Sequence, residues 1–179
     1  MNKIKTIFSI IGILTFFLLP LQCRISDNAG AASDPADLLP LDNDISSFLR
    51  KGSTAIMTDQ QSIYSAIDGE AQRYIDYGFM EGVKQLYSNG GVDIDVQLFN
   101  QGNQTDAKNL FELFRPLSPE LISQNDSNAL IENALANGYQ ILSTKQNILL
   151  RITTTEKSDF ALNMAKQFFW NINNKIGIE

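Results

Sequence analysis

The first strong pattern of apolar positions predicts a helix over residues 60–77, because apolar side chains recur there at intervals of three and four. The stripe consists of Ile63, Ile67, Ala71, Tyr74 and Ile75. Thr58 and Gln61 have the spacing of a capping box, and Gly78 follows as a left-handed stop. Gly69 lies inside the pattern, so we expect either a bend there or a close approach of another group to its backbone.

Two later patterns predict two pairs of antiparallel strands. Residues 79–87 and 92–99 flank Asn89-Gly90-Gly91, and an Asn-Gly between strand-like runs indicates a hairpin. Residues 139–143 and 147–154 are rich in β-branched side chains and are separated by a short turn. Strands joined by tight turns pair in antiparallel fashion.

Three further helices complete the predicted order of elements. One begins at Thr105 and ends before Pro116, a brief one covers residues 127–135 and is closed by Gly138, and the last covers residues 158–175. The order is helix, two strands, helix, short helix, two strands, helix. It predicts an α+β fold in which helices pack on the faces of an antiparallel sheet, an α/β/α sandwich.

The amino terminus has the three parts of an export signal. Lys3 and Lys5 precede an apolar run that ends at Leu21, and this run is short for a membrane span of about 20 residues. Cys23, the only cysteine, follows the run at the position where a bacterial lipoprotein carries its lipid. Gln22 departs from the small residue expected before such a cysteine.

These features divide the chain into a signal peptide over residues 1–22, a flexible tether over 23–40 and a single domain over 41–179. Cleavage after Ala31 and an uncleaved anchor helix are the alternatives. We therefore expect a protein of the bacterial cell envelope, facing the periplasm or on the outer membrane, with Cys23 as its lipid attachment to the membrane.

The composition excludes several chemistries. The chain has no histidine, so a Ser-His-Asp triad, a histidine zinc site and an imidazole base are impossible. It also lacks the glycine motifs that bind dinucleotides and phosphates, and we expect no cofactor. Removing the signal peptide leaves 12 of the 14 basic residues against 20 acidic ones, a net charge of −8, which disfavours nucleic acid as a partner.

Candidate site residues cluster along the first predicted helix. They are Tyr64, Asp68, Glu70, Arg73 and Tyr77. A carboxylate such as Asp68 at a helix break could bind a hard cation or act as a general base. The alternative is structural: Glu70 and Arg73 form an exposed helix pair, and the tyrosines belong to an amphipathic core. Asp93 and Asp95 are a weaker pair, because any half-solvated strand presents such a face.

The stretch from Tyr64 to Phe79 resembles an uncharacterised bacterial family of secreted and lipid-anchored domains with the pattern YxxIDGxAxxYxxYGF. The chain matches two further pieces of that family, Leu38-Leu39-Pro40 and Asp106-Ala107 with Leu110-Phe111. It departs from the family at Glu70 and Asn109, where glycine is usual. The resemblance implies a domain over most of residues 38–176 and no known activity, and the layout is similar to that of PsbP and Mog-type sandwiches.

Two functions remain open. The first is a non-catalytic lipoprotein of the cell envelope that binds an envelope protein or a small ligand. The second is a carboxylate-based enzyme or cation-dependent hydrolase that uses the turn at Asp68 and Glu70. The anchor, the tether and the missing catalytic groups favour the first.

Overall fold

The computed structural model describes residues 34–124 and 126–177, so the predicted signal peptide, Cys23 and most of the predicted tether lie outside the described residues. The strands are β1 Leu49–Met57, β2 Glu81–Ser88, β3 Asp93–Asn100, β4 Glu120–Ser123, β5 Asp126–Glu132, β6 Gln140–Lys145 and β7 Ile148–Thr154. The helices are α1 Pro35–Leu38, α2 Gln60–Ile67, α3 Ala71–Asp76, α4 Gln104–Leu113 and α5 Asp159–Lys175, with a 3₁₀ turn over Asp68–Glu70 between α2 and α3. Over these two ranges, none of the helices combines the length and the apolar character that a membrane crossing needs.

The seven strands form one sheet in the order β1-β2-β3-β7-β6-β5-β4. Every neighbouring pair in it is antiparallel. Helices α1 and α5 pack on one face, and α2, α3 and α4 pack on the other. The predicted α+β fold with helices on both faces of an antiparallel sheet is therefore confirmed.

The first face holds the larger core, in which α5 crosses the middle strands. Phe168 of α5 contacts Phe48 edge to face at 5.5 Å and Tyr87 at 4.8 Å between ring centroids. Aromatic pairs of this kind add to the free energy gained by burying their area. The helix begins at Ser158, whose hydroxyl accepts from the Ala161 amide, as the predicted range requires.

The second face is covered by helices at one end only. Met57, Phe99 and Leu149 are fully buried there beneath α2, α3 and α4. Further along the same face the neighbouring strands present polar residues instead. Asp95 of β3 lies opposite Thr153 of β7, which lies opposite Gln140 of β6. The candidate site lies where the apolar residues of this face give way to polar ones.

The predicted helix over residues 127–135 is wrong, because that part of the chain contains strand β5. Ala129 and Ile131 pack in the first core, while Leu130 packs in the second. A strand buried on both faces has a continuous apolar run, and periodicity alone does not distinguish such a run from a buried helix. The antiparallel pairing with β6 identifies this part of the chain as a strand.

Strand β1 was not expected either. Its residues are mostly exposed because it is an edge strand with one neighbour, and its pairing shifts register between Lys51 and Ala55. Gly52 lies at the shift with a φ of 75°. An edge strand with a bulge has little of the apolar alternation on which sequence-based assignment depends.

The predicted tether extends too far, because residues 35–40 pack on the domain. Leu38 and Leu39 are buried in the first core. The Pro40 carbonyl accepts from the Tyr87 hydroxyl at 2.8 Å and from the Arg50 guanidinium at 2.9 Å. These contacts place the start of the domain at α1.

The predicted bend at Gly69 is confirmed, since α2 and α3 are separated by the 3₁₀ turn. The predicted close approach to Gly69 is absent, because a Cβ built there meets nothing within 4 Å. The amino-terminal caps of α2 and α4 lie one and two residues from the predicted positions, Thr58 and Thr105. Asp59 and Ser62 form the capping box of α2, and Asn103 caps α4.

Gly138 does not close a helix but lies buried in the connection from β5 to β6. A Cβ at this position would lie 2.1 Å from the carbonyl oxygen of Thr154, a distance that real Cβ contacts do not reach. The chain passes so close to the end of β7 that only glycine fits.

We predict that Gly138→Ala lowers the free energy of unfolding by about 1–3 kcal/mol, because backbone must move to admit the methyl group. Gly69→Ala is the matched control, since its Cβ meets open space and an alanine there stabilises by up to about 1 kcal/mol. Urea denaturation of both variants measures the difference. Equal effects would contradict the packing described for Gly138.

Candidate functional site

The candidate site is built around Arg151, a cation in the middle strand β7 whose side chain is only 16% exposed. One guanidinium nitrogen donates to Glu70 at 2.5 Å and to the Tyr74 hydroxyl at 2.8 Å, and another donates to Gln140 at 3.2 Å. The guanidinium also lies over the ring of Phe114, 5.3 Å from its centroid. A buried guanidinium needs such partners, because an unpaired one costs several kcal/mol.

Burial also affects the pKa values of Tyr74 and Arg151, the two titratable groups at the centre of this cluster. It raises the pKa of Tyr74 to about 12, although the neighbouring Arg151 charge works in the opposite direction. Burial works against the charge of Arg151, but the oxygens of Tyr74 and Glu70 outweigh it and raise the pKa of the guanidinium. The cluster therefore holds a neutral phenol beside a permanent cation at neutral pH.

Glu70 reaches Arg151 because the chain breaks its helix at Asp68. Asp68 ends α2 with φ 49° and ψ −124°, a conformation with positive φ that is unusual for a residue with a side chain. Its amide donates to the Tyr64 carbonyl, and its own carbonyl accepts from the Ala71 amide. Backbone strain of this kind, about 1–3 kcal/mol, persists only where the surrounding contacts fix it.

A polar platform extends from Arg151 across the uncovered end of the same face. It comprises Lys84, Asp95, Gln97, Gln140, Arg151 and Thr153. The side chains contact one another: the Gln97 amide nitrogen donates to Asp95 at 3.2 Å, and the Lys84 ammonium lies 3.5 Å from Asp95. The platform is half-buried and lies beside the 3₁₀ turn that carries Glu70.

Two oxygens of the platform have no hydrogen-bond donor in the part of the chain that the structure describes. They are Oδ1 of Asp95 and Oε1 of Gln97, and both atoms are buried. A buried acceptor without a donor costs about 1–3 kcal/mol. The platform therefore has two acceptors that no donor of the described residues satisfies.

The predicted site residues separate into two groups. Glu70 contacts the platform through Arg151, and Arg73 lies near the same cluster, 5.7 Å from the centroid of the Phe114 ring. Tyr64 instead donates to Gln72 at 2.5 Å on the exposed side of the helices.

The other two predicted positions do not converge on the platform. Asp68 is exposed at the turn, and Tyr77 is half-buried against the second core. The expected helix pair between Glu70 and Arg73 is wrong, because Glu70 forms its ion pair with Arg151. That partner lies 81 residues away in the sequence.

The pair Asp93 and Asp95 is also occupied by cations. Asp93 lies 2.7 Å from the Lys51 ammonium, which together with Ser88 lowers the pKa of the aspartate. Asp95 has Lys84 at 3.5 Å. Within residues 34–124 and 126–177 no group of three acidic, cysteine or histidine side chains is arranged to hold a metal ion.

Sequence reasoning missed Arg151, Gln97 and Gln140. Arg151 does leave a signal, because it is the one charged residue in the strand Ile148–Thr154. A charge inside a buried apolar strand requires a partner. The identity of that partner depends on tertiary packing.

No family model matches the chain, and no curated protein matches it. Among solved structures, the chain is similar to the extracellular domain of PknH from Mycobacterium tuberculosis, with a TM-score of 0.52 and 9% sequence identity. The match covers 78% of this chain and 95% of that one. At this identity the likeness shows a shared fold, and the sequence resemblance over Tyr64 to Phe79 stays a prediction.

We predict that Arg151→Met lowers the free energy of unfolding by about 2–3 kcal/mol, because it leaves the buried Tyr74 hydroxyl without its partner. Arg115→Met is the matched control: its ion pair with Glu112 has a similar distance, 2.7 Å, but both side chains are well exposed. Exposed pairs contribute at most about 1 kcal/mol. Chemical denaturation should rank the two variants in this order, and the reverse ranking would contradict the cluster.

We predict that the free energy of unfolding falls as the pH rises from about 10, the ordinary pKa of tyrosine, toward about 12, the pKa in the folded state. The fold favours the neutral phenol, so its contribution is complete below pH 10 and is lost above it. Burial also raises the pKa of Tyr87 to about 12. Tyr74→Phe should therefore remove only part of the fall in the free energy of unfolding with pH. A slope unchanged in Tyr74→Phe would contradict this assignment.

Proposed function

We propose that this protein is a non-catalytic, exported domain of the bacterial cell envelope that binds a polar ligand on the platform. The ligand presents hydroxyl or ammonium groups, because the buried atoms of the platform that lack a partner among the described residues are acceptors. The export signal supports the location. The similarity of the fold to a domain described as extracellular is consistent with it.

The observation that carries the proposal is the pair of buried oxygens on Asp95 and Gln97 that lack donors within the described ranges. Their side chains are in contact with each other, since the Gln97 amide nitrogen donates to the second oxygen of Asp95. Because both oxygens are buried, a donor group of a ligand reaches them only when these two side chains turn outward. A ligand that supplies it recovers the free energy that the unsatisfied oxygens cost.

The platform also has the rigidity that selective binding needs. Its residues lie on four hydrogen-bonded strands, and Arg151 connects it to the 3₁₀ turn through Glu70. Groups held by sheet backbone lose little conformational entropy when a ligand binds. The strand backbone beneath the platform is thus organised before the ligand arrives.

The hydrolase alternative has less support. A general base needs a carboxylate that is free to accept a proton from substrate, whereas Glu70 accepts from Arg151. Asp68 is exposed at the turn, apart from the platform. Ligand binding on the platform therefore explains more of the observed polar contacts than does hydrolysis at the Asp68–Glu70 turn.

Attachment to the membrane through a lipid on Cys23 belongs to the same proposal. The domain begins at α1, so residues 23–33 would span the interval between the lipid and the fold. Mass spectrometry of the processed amino terminus tests it. A mass that includes diacylglycerol on Cys23 is expected, and an unmodified terminus after Ala31 would contradict the anchor.

Binding is tested by a thermal-shift screen of sugars, amino sugars and polyamines against the protein and two variants. We expect a ligand that raises Tm in the native protein and in Asp93→Asn but not in Asp95→Asn. The two aspartates are matched, because they lie on one strand face with side chains 25% and 24% exposed, each beside a lysine. A screen without any hit, or equal loss in both variants, would contradict the proposal.

A further inference from the structure

A cavity lies at the other end of the sheet from the platform, at the tip of the β6–β7 hairpin. Its volume is about 350 Å³, and it is lined among others by Gln104, Lys108, Thr144, Lys145, Gln146 and Asn173. These residues come from the start of α4, the hairpin and the end of α5. The volume is at the lower end of the range for pockets that hold small molecules, about 300–1,000 Å³.

The charge of this cavity is opposite to that of the protein. The chain has 20 acidic and 14 basic residues, yet the residues lining the cavity include two lysines and no carboxylate. The remaining lining residues are amides and a hydroxyl, which can donate to or accept from a polar ligand. Such a lining favours an anion that also carries hydroxyl groups.

The two lysines keep positive charge that a ligand can use. Neither Lys108 nor Lys145 belongs to an ion pair formed by the side chains that the structure describes. Of the acids near Lys108 on α4, Asp106 accepts from Asn103 at 2.6 Å, and Glu112 pairs with Arg115, which lowers the Glu112 pKa together with a smaller contribution from the Lys108 charge. Two positive charges are therefore available to one ligand.

The lining is also held in place. The Lys145 ammonium donates to the Asn173 carbonyl at 2.7 Å, which fixes its position and leaves it two further donors. Gln104 and Lys108 are four residues apart on α4, so they lie on the same side of the helix. The amino-terminal end of α4 adds a favourable partial positive charge for an anion near Gln104.

We propose that this cavity binds a small phosphate monoester of a polyol. A phosphate monoester carries nearly two negative charges at neutral pH, which match the two ammonium groups, and the polyol hydroxyls match the amides and Thr144. The proposal is independent of the platform, because the buried platform atoms without partners are acceptors, whereas this cavity offers donors.

Isothermal titration with glycerol 3-phosphate, inorganic phosphate and glycerol tests the inference on the purified protein. We expect glycerol 3-phosphate to bind, inorganic phosphate to bind more weakly and glycerol not to bind. Lys108→Gln should lower the affinity for glycerol 3-phosphate about tenfold, because one charge-assisted contact is lost. Lys108→Arg should retain the affinity, because it keeps the charge.

The control is Lys51→Gln, which removes the same charge from an exposed side chain on β1 that pairs with Asp93. It should leave the affinity unchanged, and so should Asp95→Asn on the platform. The inference is overturned if millimolar glycerol 3-phosphate gives no heat of binding, if glycerol binds equally well, or if Lys51→Gln weakens binding as much as Lys108→Gln.

Discussion

The charge of Arg151 inside the sheet is the constraint on which much of this fold depends. A guanidinium in the middle strand of a seven-stranded sheet must be paired and hydrogen-bonded. Its partners are Gln140 on the neighbouring strand β6, Glu70 in the 3₁₀ turn and Tyr74 in helix α3. The break in the helix at Asp68 is part of the same arrangement, because the turn that follows it holds Glu70 against the guanidinium.

This arrangement also divides the second face of the sheet into two parts. On one side of Arg151 the rows are apolar and lie beneath α2, α3 and α4. On the other side they are polar and remain uncovered, which produces the platform. Arg151 therefore lies where the apolar core ends and the candidate binding surface begins.

Local patterns were sufficient for the elements whose signals are local. The Asn89-Gly90 hairpin, the β6–β7 hairpin and the long helix α5 follow from turn chemistry and periodicity. Strand β5 was misassigned because its apolar run is buried on both faces. Strand β1 was missed because an exposed edge strand has no apolar alternation.

The candidate site was predictable only in part, for a related reason. The helix break and the carboxylates around it are visible in the sequence, and Glu70 does lie at the site. Its ion-pair partner could not be deduced, since Arg151 lies 81 residues away and is brought close by sheet topology. The unsatisfied oxygens of Asp95 and Gln97 likewise depend on how strands and helices cover one another.

The central claim is that Glu70 and Arg151 are energetically coupled across the helix break. A double-mutant cycle with Glu70→Ala and Arg151→Met, measured by urea denaturation, tests it most directly. We predict a coupling free energy of at least about 1 kcal/mol, as expected for a hydrogen-bonded pair that is partly shielded from water. A coupling within about 0.3 kcal/mol of zero would contradict the account.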